Sequence, residues 1–116
     1  MPIQNFKSLG TSKAKKNALK ILEAGLSTAE PKNFLKFFIN KNEIHIGKSC
    51  IILSNYEKIF VVSYGKAADS MAKFVSELLN VSQGIVVIPK YTKSRLTDKN
   101  FKIFYSGHPL PDGESV

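Results

Sequence analysis

The stretch Phe60-Val61-Val62-Ser63-Tyr64-Gly65-Lys66-Ala67-Ala68-Asp69-Ser70-Met71-Ala72 narrows the folds open to this chain more than any other. An apolar run breaks at a Gly-Lys pair and resumes at helical spacing. Ala67, Ala68, Met71, Ala72, Val75, Leu78 and Leu79 fall on one side, and Asp69, Lys73, Ser76 and Glu77 on the other. A second apolar run follows, Gly84-Ile85-Val86-Val87-Ile88-Pro89. Strand, helix and strand in that order make one β-α-β unit over residues 58 to 89, with parallel strands and a right-handed crossover. The near-continuous apolar run 58 to 62 predicts a strand covered on both faces.

The flanking segments add to this unit. Thr11 and Ser12 can cap a helix over 12 to 28 whose Ala14, Ala18, Leu19, Leu22 and Leu26 share a face. Pro31 opens a shorter helix that would carry Phe34, Leu35, Phe38 and Ile39 toward the core. Glu43-Ile44-His45-Ile46 and Cys50-Ile51-Ile52-Leu53 flank Gly47 as a small hairpin, which leaves His45 on an exposed face. After the polar loop 92 to 100, residues 101 to 105 form a third core strand. The predicted fold is thus α/β: a Rossmann-like three-layer sandwich with a mainly parallel sheet, incomplete in this chain, preceded by N-terminal helices. So few strands with one crossover helix leave faces and edges bare, so residues 1 to 116 read as one α/β domain opening a larger one. A truncated chain or a split gene product is the expectation.

Composition removes several function classes. The formal charge of +8 comes from sixteen lysines and the single Arg95, scattered with only Lys15 and Lys16 adjacent, which is a solvated surface rather than a nucleic-acid stripe. No apolar stretch approaches the roughly 18 residues of a membrane span, and the N-terminus lacks a signal-peptide core. One cysteine, Cys50, rules out an internal disulfide and points to the reducing cytoplasm. Two distant histidines, one cysteine and no paired carboxylates leave, by inventory, no metal or Cys-His centre.

Chemistry is best sought at the carboxyl ends of the strands, where α/β sheets bind ligands. Gly65 lets the backbone turn and approach a ligand, and the first N–H groups of the following helix, from Ala67 on, lack internal partners. With the Lys66 ammonium they suit an anion. The turn is no Walker motif, since Ala67 stands where a hydroxyl would bind magnesium. Lys90 and Tyr91 leave the next strand toward the same edge. The stiff loop Gly107-His108-Pro109-Leu110-Pro111-Asp112 leaves the third, with His108 a donor to phosphate or carboxylate and Asp112 suited to a metal or hydroxyl.

Taken in order, these segments resemble the N-terminal part of the glycerate 2-kinase family, members of which are sometimes named hydroxypyruvate reductases. The resemblance runs through Ala18-Leu19-Lys20-Ile21-Leu22-Glu23-Ala24-Gly25-Leu26, Tyr56-Glu57-Lys58-Ile59-Phe60-Val61-Val62 and Gly65-Lys66-Ala67-Ala68 with Met71-Ala72. It continues through Gly84-Ile85-Val86-Val87 with Lys90-Tyr91 and the Gly107 to Asp112 loop. It implies ATP-dependent phosphorylation of the 2-hydroxyl of D-glycerate, with Lys66 in the active site and the His108 loop at the same cleft. ATP and magnesium would be cofactors of the parent enzyme, with the magnesium ligands and a glycine-rich nucleotide segment outside this chain. The family usually carries glycine and a small residue before the Gly-Lys pair, whereas Ser63 and Tyr64 stand here, and Tyr64 is expected to narrow the approach to the turn. The remainder of the kinase chain is the implied partner, a homo-oligomer is compatible, and this portion alone would be inactive. The alternative reading is a non-catalytic phosphosugar-binding module of the sugar-isomerase type, which needs residues 58 to 89 but not the Gly-His-Pro loop.

Overall fold

Ser12 begins the first long element by local chemistry, its side chain accepting a hydrogen bond from the Lys15 N–H at 3.3 Å. In the computed structural model, which describes residues 2 to 115, a short helix α1 (Phe6–Leu9) precedes this α2 (Lys13–Ala29). Pro31 then opens α3 (Pro31–Leu35) at its first turn. Helix α2 keeps much of its apolar surface in solvent: Leu22 and Leu26 of the shared face, and Ile21 beside it, are all exposed. In α3 only Leu35 is buried, and Ile39 beyond it packs against the core cluster. Phe34 and Phe38 lie against each other, with ring centroids 5.0 Å apart, and remain exposed.

The hairpin forms as read from its turn. Strands β1 (Glu43–Ile46) and β2 (Ser49–Ile52) pair antiparallel, and Gly47 sits at φ +58°, which favours glycine.

The site rests on the second sheet. Strands β3 (Phe60–Tyr64), β4 (Gln83–Pro89) and β5 (Phe101–Ser106) run parallel in the order β3-β4-β5, with α4 (Ala68–Leu78) connecting the first two. One face of this sheet carries the core, in which Val86 and Ile88 meet Ala68, Ala72, Leu79, Val81 and Phe101. Small Ala68 and Ala72 let α4 lie close to the strands. Gly84 makes room within the sheet itself, because a Cβ there would stand 2.2 Å from two carbons of the Phe101 ring on the neighbouring strand.

Two expectations are corrected. Strand β3 is covered on one face only: Phe60, Val62 and Tyr64 are 64%, 71% and 80% exposed, since no helix among the described residues lies over that face. Asp69, read as solvent-facing from helical spacing, is 6% exposed because the loop after β4 folds over it. The chain exposes 9010 Å², whereas a compact monomer of this mass exposes about 6300 Å². Its radius of gyration is 17.8 Å, against about 13 Å for a compact domain of this length. No helix of the described residues is long and apolar enough to cross a membrane.

Candidate functional site at the carboxyl edge of the parallel sheet

Parallel pairing decides what comes together. The last residues of β3, β4 and β5 lie at one edge, so the turns at Gly65, Lys90 and Gly107 leave the sheet side by side. Two backbone bonds tie them: the Gly65 N–H donates to the Val87 carbonyl at 3.0 Å, and the Lys90 N–H to the Ser106 carbonyl at 2.9 Å.

Gly65 adopts φ +102°, a conformation that glycine takes without strain. Outside its two neighbours, no heavy atom lies within 4 Å of where a Cβ would stand, so the turn is open. Tyr64 alternates onto the bare sheet face, where it is almost wholly exposed. Ala67 caps α4 without a side-chain acceptor. Among the described residues, the N–H groups of Lys66, Ala67, Asp69 and Ser70 meet no acceptor, and exposed Lys66 has no carboxylate partner. Unsatisfied N–H groups and an ammonium at a helix start make a ledge whose chemistry suits an anion.

The other cation at this edge is already engaged. Lys90 Nζ lies 2.5 Å from Asp112 Oδ2 and 3.9 Å from Glu114 Oε2. Asp112 also accepts from the Gly107 N–H at 3.1 Å, the Glu114 N–H at 3.2 Å and the Ser115 hydroxyl at 3.1 Å. The carboxylate expected to meet a metal or hydroxyl is thus the knot of its own loop. Gly107 permits that approach, since a Cβ there would stand 2.6 Å from the Leu110 carbonyl oxygen and 2.8 Å from Asp112 Cγ. His108 precedes a cis peptide bond to Pro109 and is exposed at the same edge.

Lys90 holds Asp112 down to about 2 from its ordinary carboxylate value, and the Ser115 and Gly107 donors act in the same direction. Asp112 in turn raises the Lys90 ammonium above its usual value. A carboxyl lowered on folding adds stability above its unfolded pKa, and that contribution disappears as pH falls through the folded one. The loop tether should therefore persist through pH 4 and fail near pH 2. The Gly107 amide shift, followed by NMR, is expected to titrate near 2 in the wild type and to lose that step in Asp112→Asn. A midpoint near 3.8 in the wild type would show that the clamp does not form.

Asp69 joins the site without a signal of its own in helical spacing. Its carboxylate accepts from the Ser94 hydroxyl and from the Arg95 N–H at 3.0 and 3.3 Å, while Arg95 Nη2 donates to Ser70 Oγ at 3.0 Å. This pins the loop after β4 to the first turn of α4, beside Lys66. The single arginine in a lysine-rich chain was the available signal.

The hairpin brings together three residues that inventory had treated as separate. Ligand atoms of Glu43, His45 and Cys50 lie within 4.8 Å of one another on the hairpin. Antiparallel register sets His45 directly opposite Cys50, and the two-residue period puts Glu43 on the same face. Distance along the chain concealed it.

Residues 17–116 match the family described as "Domain of unknown function (DUF4147)". The chain is similar to a protein of Pyrococcus horikoshii named "Glycerate 2-kinase", at 32% identity over 80 residues, covering 65% of this chain and 18% of that protein. It is also similar to a Thermotoga maritima protein named "D-glycerate 2-kinase", at 38% identity over 64 residues, covering 53% of this chain and 15% of that one. Among solved structures, the PH0495 protein of Pyrococcus horikoshii matches with a TM-score of 0.72 and 23% identity, over 90% of this chain and 23% of that one. That likeness shows the Rossmann-like α/β fold. This chain spans less than a fifth of the length of the curated relatives it matches.

Proposed function

The chain belongs to the DUF4147 family, and from its likeness to proteins named glycerate 2-kinase we propose that it forms the N-terminal α/β wall of such an enzyme. The proposed reaction moves the γ-phosphoryl group of ATP to the 2-hydroxyl of D-glycerate, giving 2-phosphoglycerate, in a cytoplasmic enzyme. Residues 1 to 116 are one α/β unit of that larger protein, inactive without the rest. The observation that carries this reading is the ledge at the carboxyl edge: Lys66 without a carboxylate partner beside four open N–H groups, among the described residues.

Each residue has a role in the proposal. Lys66 is the catalytic cation, offsetting charge on the transferring phosphoryl group or on the glycerate carboxylate. Gly65 keeps the turn open, and the N–H groups from Ala67 onward hold phosphate oxygens. His108 supplies a donor from the neighbouring loop. Lys90 positions that loop through Asp112 and contributes charge at longer range. The ledge fits the phosphates of ATP. Magnesium is different: Asp69 and Asp112 are committed to Arg95 and Lys90, so neither is a ready ligand. The covering polypeptide would supply that site. The excess exposed area of about 2700 Å², relative to a compact monomer, supports such a partner, because a standard interface takes only about 800 Å² from each side.

The phosphosugar-binding alternative accounts for the ledge but gives no reason for the clamped Gly107 to Asp112 loop. The test is turnover with ATP and D-glycerate by the complete protein that contains this chain, with product identified by NMR. We expect 2-phosphoglycerate from the complete protein and no turnover from the 116-residue chain. Saturable binding of fructose 6-phosphate, with no glycerate phosphorylation by the complete protein, would favour the alternative.

A further inference from the structure

We propose that the β1-β2 hairpin carries a zinc-type metal site made by Glu43, His45 and Cys50, separate from the carboxyl-edge ledge. The three residues offer one oxygen, one nitrogen and one sulfur, the donor set that a borderline-soft ion such as Zn²⁺ takes at tetrahedral centres. Two polar contacts already draw the donors together. Glu43 Oε1 lies 3.0 Å from His45 Nε2, and Cys50 Sγ donates to Glu43 Oε2 at 3.2 Å. Zinc at its usual 2.0–2.3 Å bond lengths separates neighbouring ligands by about 3.3–3.8 Å. The donors lie within 4.8 Å of one another, so binding needs only small side-chain adjustments.

The surroundings support the placement. Asn40 Nδ2 donates to Glu43 Oε1 at 3.2 Å, and Asn40 Oδ1 accepts from the N–H groups of Asn42 and Glu43 at 2.8 and 3.0 Å. The amide that orients the carboxylate is itself held, which is the part that outer-shell residues play in metal sites. Register fixes the backbone: His45 faces Cys50, and the His45 N–H donates to the Phe38 carbonyl at 2.7 Å. His45 and Cys50 are exposed, so an ion can enter and a fourth position stays open to water. A thiolate and a carboxylate balance the two positive charges of the ion. Binding replaces the thiol proton, which leaves for the buffer, while neutral imidazole binds through its lone pair and no electrons change hands.

The experiment uses the full chain, reduced and metal-free, titrated with Zn²⁺ by calorimetry in two buffers of different ionisation enthalpy, and with Co²⁺ as spectroscopic surrogate. The expected result is one equivalent of Zn²⁺ bound with proton release, and a Co²⁺ spectrum showing thiolate-to-metal charge transfer with the intense visible bands of four-coordination. Cys50→Ser should abolish the charge-transfer band. Cys50→Ser and His45→Ala should each weaken Zn²⁺ binding by more than about tenfold, since even outer-shell changes cost that much, while circular dichroism confirms that each variant is folded. Failure to saturate at one equivalent, a cobalt spectrum without thiolate, or unchanged affinity in both folded variants would overturn the proposal.

Discussion

Lys66→Ala in the complete protein is expected to lower kcat for the proposed glycerate phosphorylation by about 10²–10³-fold, the loss typical when one preorganised electrostatic group is removed from a transition state. Stability should not change with it. Lys66 is exposed, outside the core and without a carboxylate partner among the described residues, so thermal midpoints of variant and parent should coincide. That separation makes the result interpretable. If the ammonium serves the transferring phosphoryl group, kcat falls while KM for glycerate holds. If it holds the glycerate carboxylate in ground and transition states alike, KM rises and kcat holds. Lys66→Arg keeps the charge on a broader, planar head and should recover only part of the rate. Full activity in the alanine variant would remove Lys66 from the mechanism.

Gly84→Ala is expected to destabilise the chain by about 3 kcal/mol, the upper end of what one extra methyl costs in a packed core. The reason is spatial rather than conformational. The added Cβ would stand 2.2 Å from the Phe101 ring, and Gly84 pairs with Phe101 across the β4-β5 ladder, so neither can withdraw without breaking register. Domains have only about 5–15 kcal/mol of net stability, and one with a bare sheet face should sit at the low end. The measurement is the urea midpoint at unchanged slope. Phe101→Leu in the same chain should relieve much of the clash, making the double variant more stable than the two single costs added together predict. A Gly84→Ala chain within about 0.5 kcal/mol of the parent, the range of ordinary surface changes, would show that the ring yields freely.

Where physical signals are local, the sequence was readable. The change of period at Gly65, the helix cap at Ser12, Pro31 at a helix start and Gly47 in its turn all act within a few residues, and each element lies where those residues put it. What depends on contacts between distant segments was not. Helical spacing assigns Asp69 to a face but cannot know that Ser94 and Arg95 return over it. The apolar residues of β3 read the same whether a second layer covers them or not. The pairing of Lys90 with Asp112 joins two different loops, and the Glu43, His45 and Cys50 grouping exists only once the hairpin register is known. The roles proposed for Lys66, Gly65, Ala67 and His108 rest on position at one edge, which parallel pairing supplies and composition does not.

The two tethers at that edge, Asp69 to Arg95 and Lys90 to Asp112, also determine what joining to a larger body has to accomplish. Immobilising a flexible side chain during association costs about 0.5–1.5 kcal/mol. Here the loops after β4 and β5 are already tied by the chain's own charges, so that entropy is lost when the chain folds rather than when it docks. On the proposed reading, assembly is then the meeting of a finished ledge with its opposite wall, driven by drying the bare sheet instead of by a search among loop conformations.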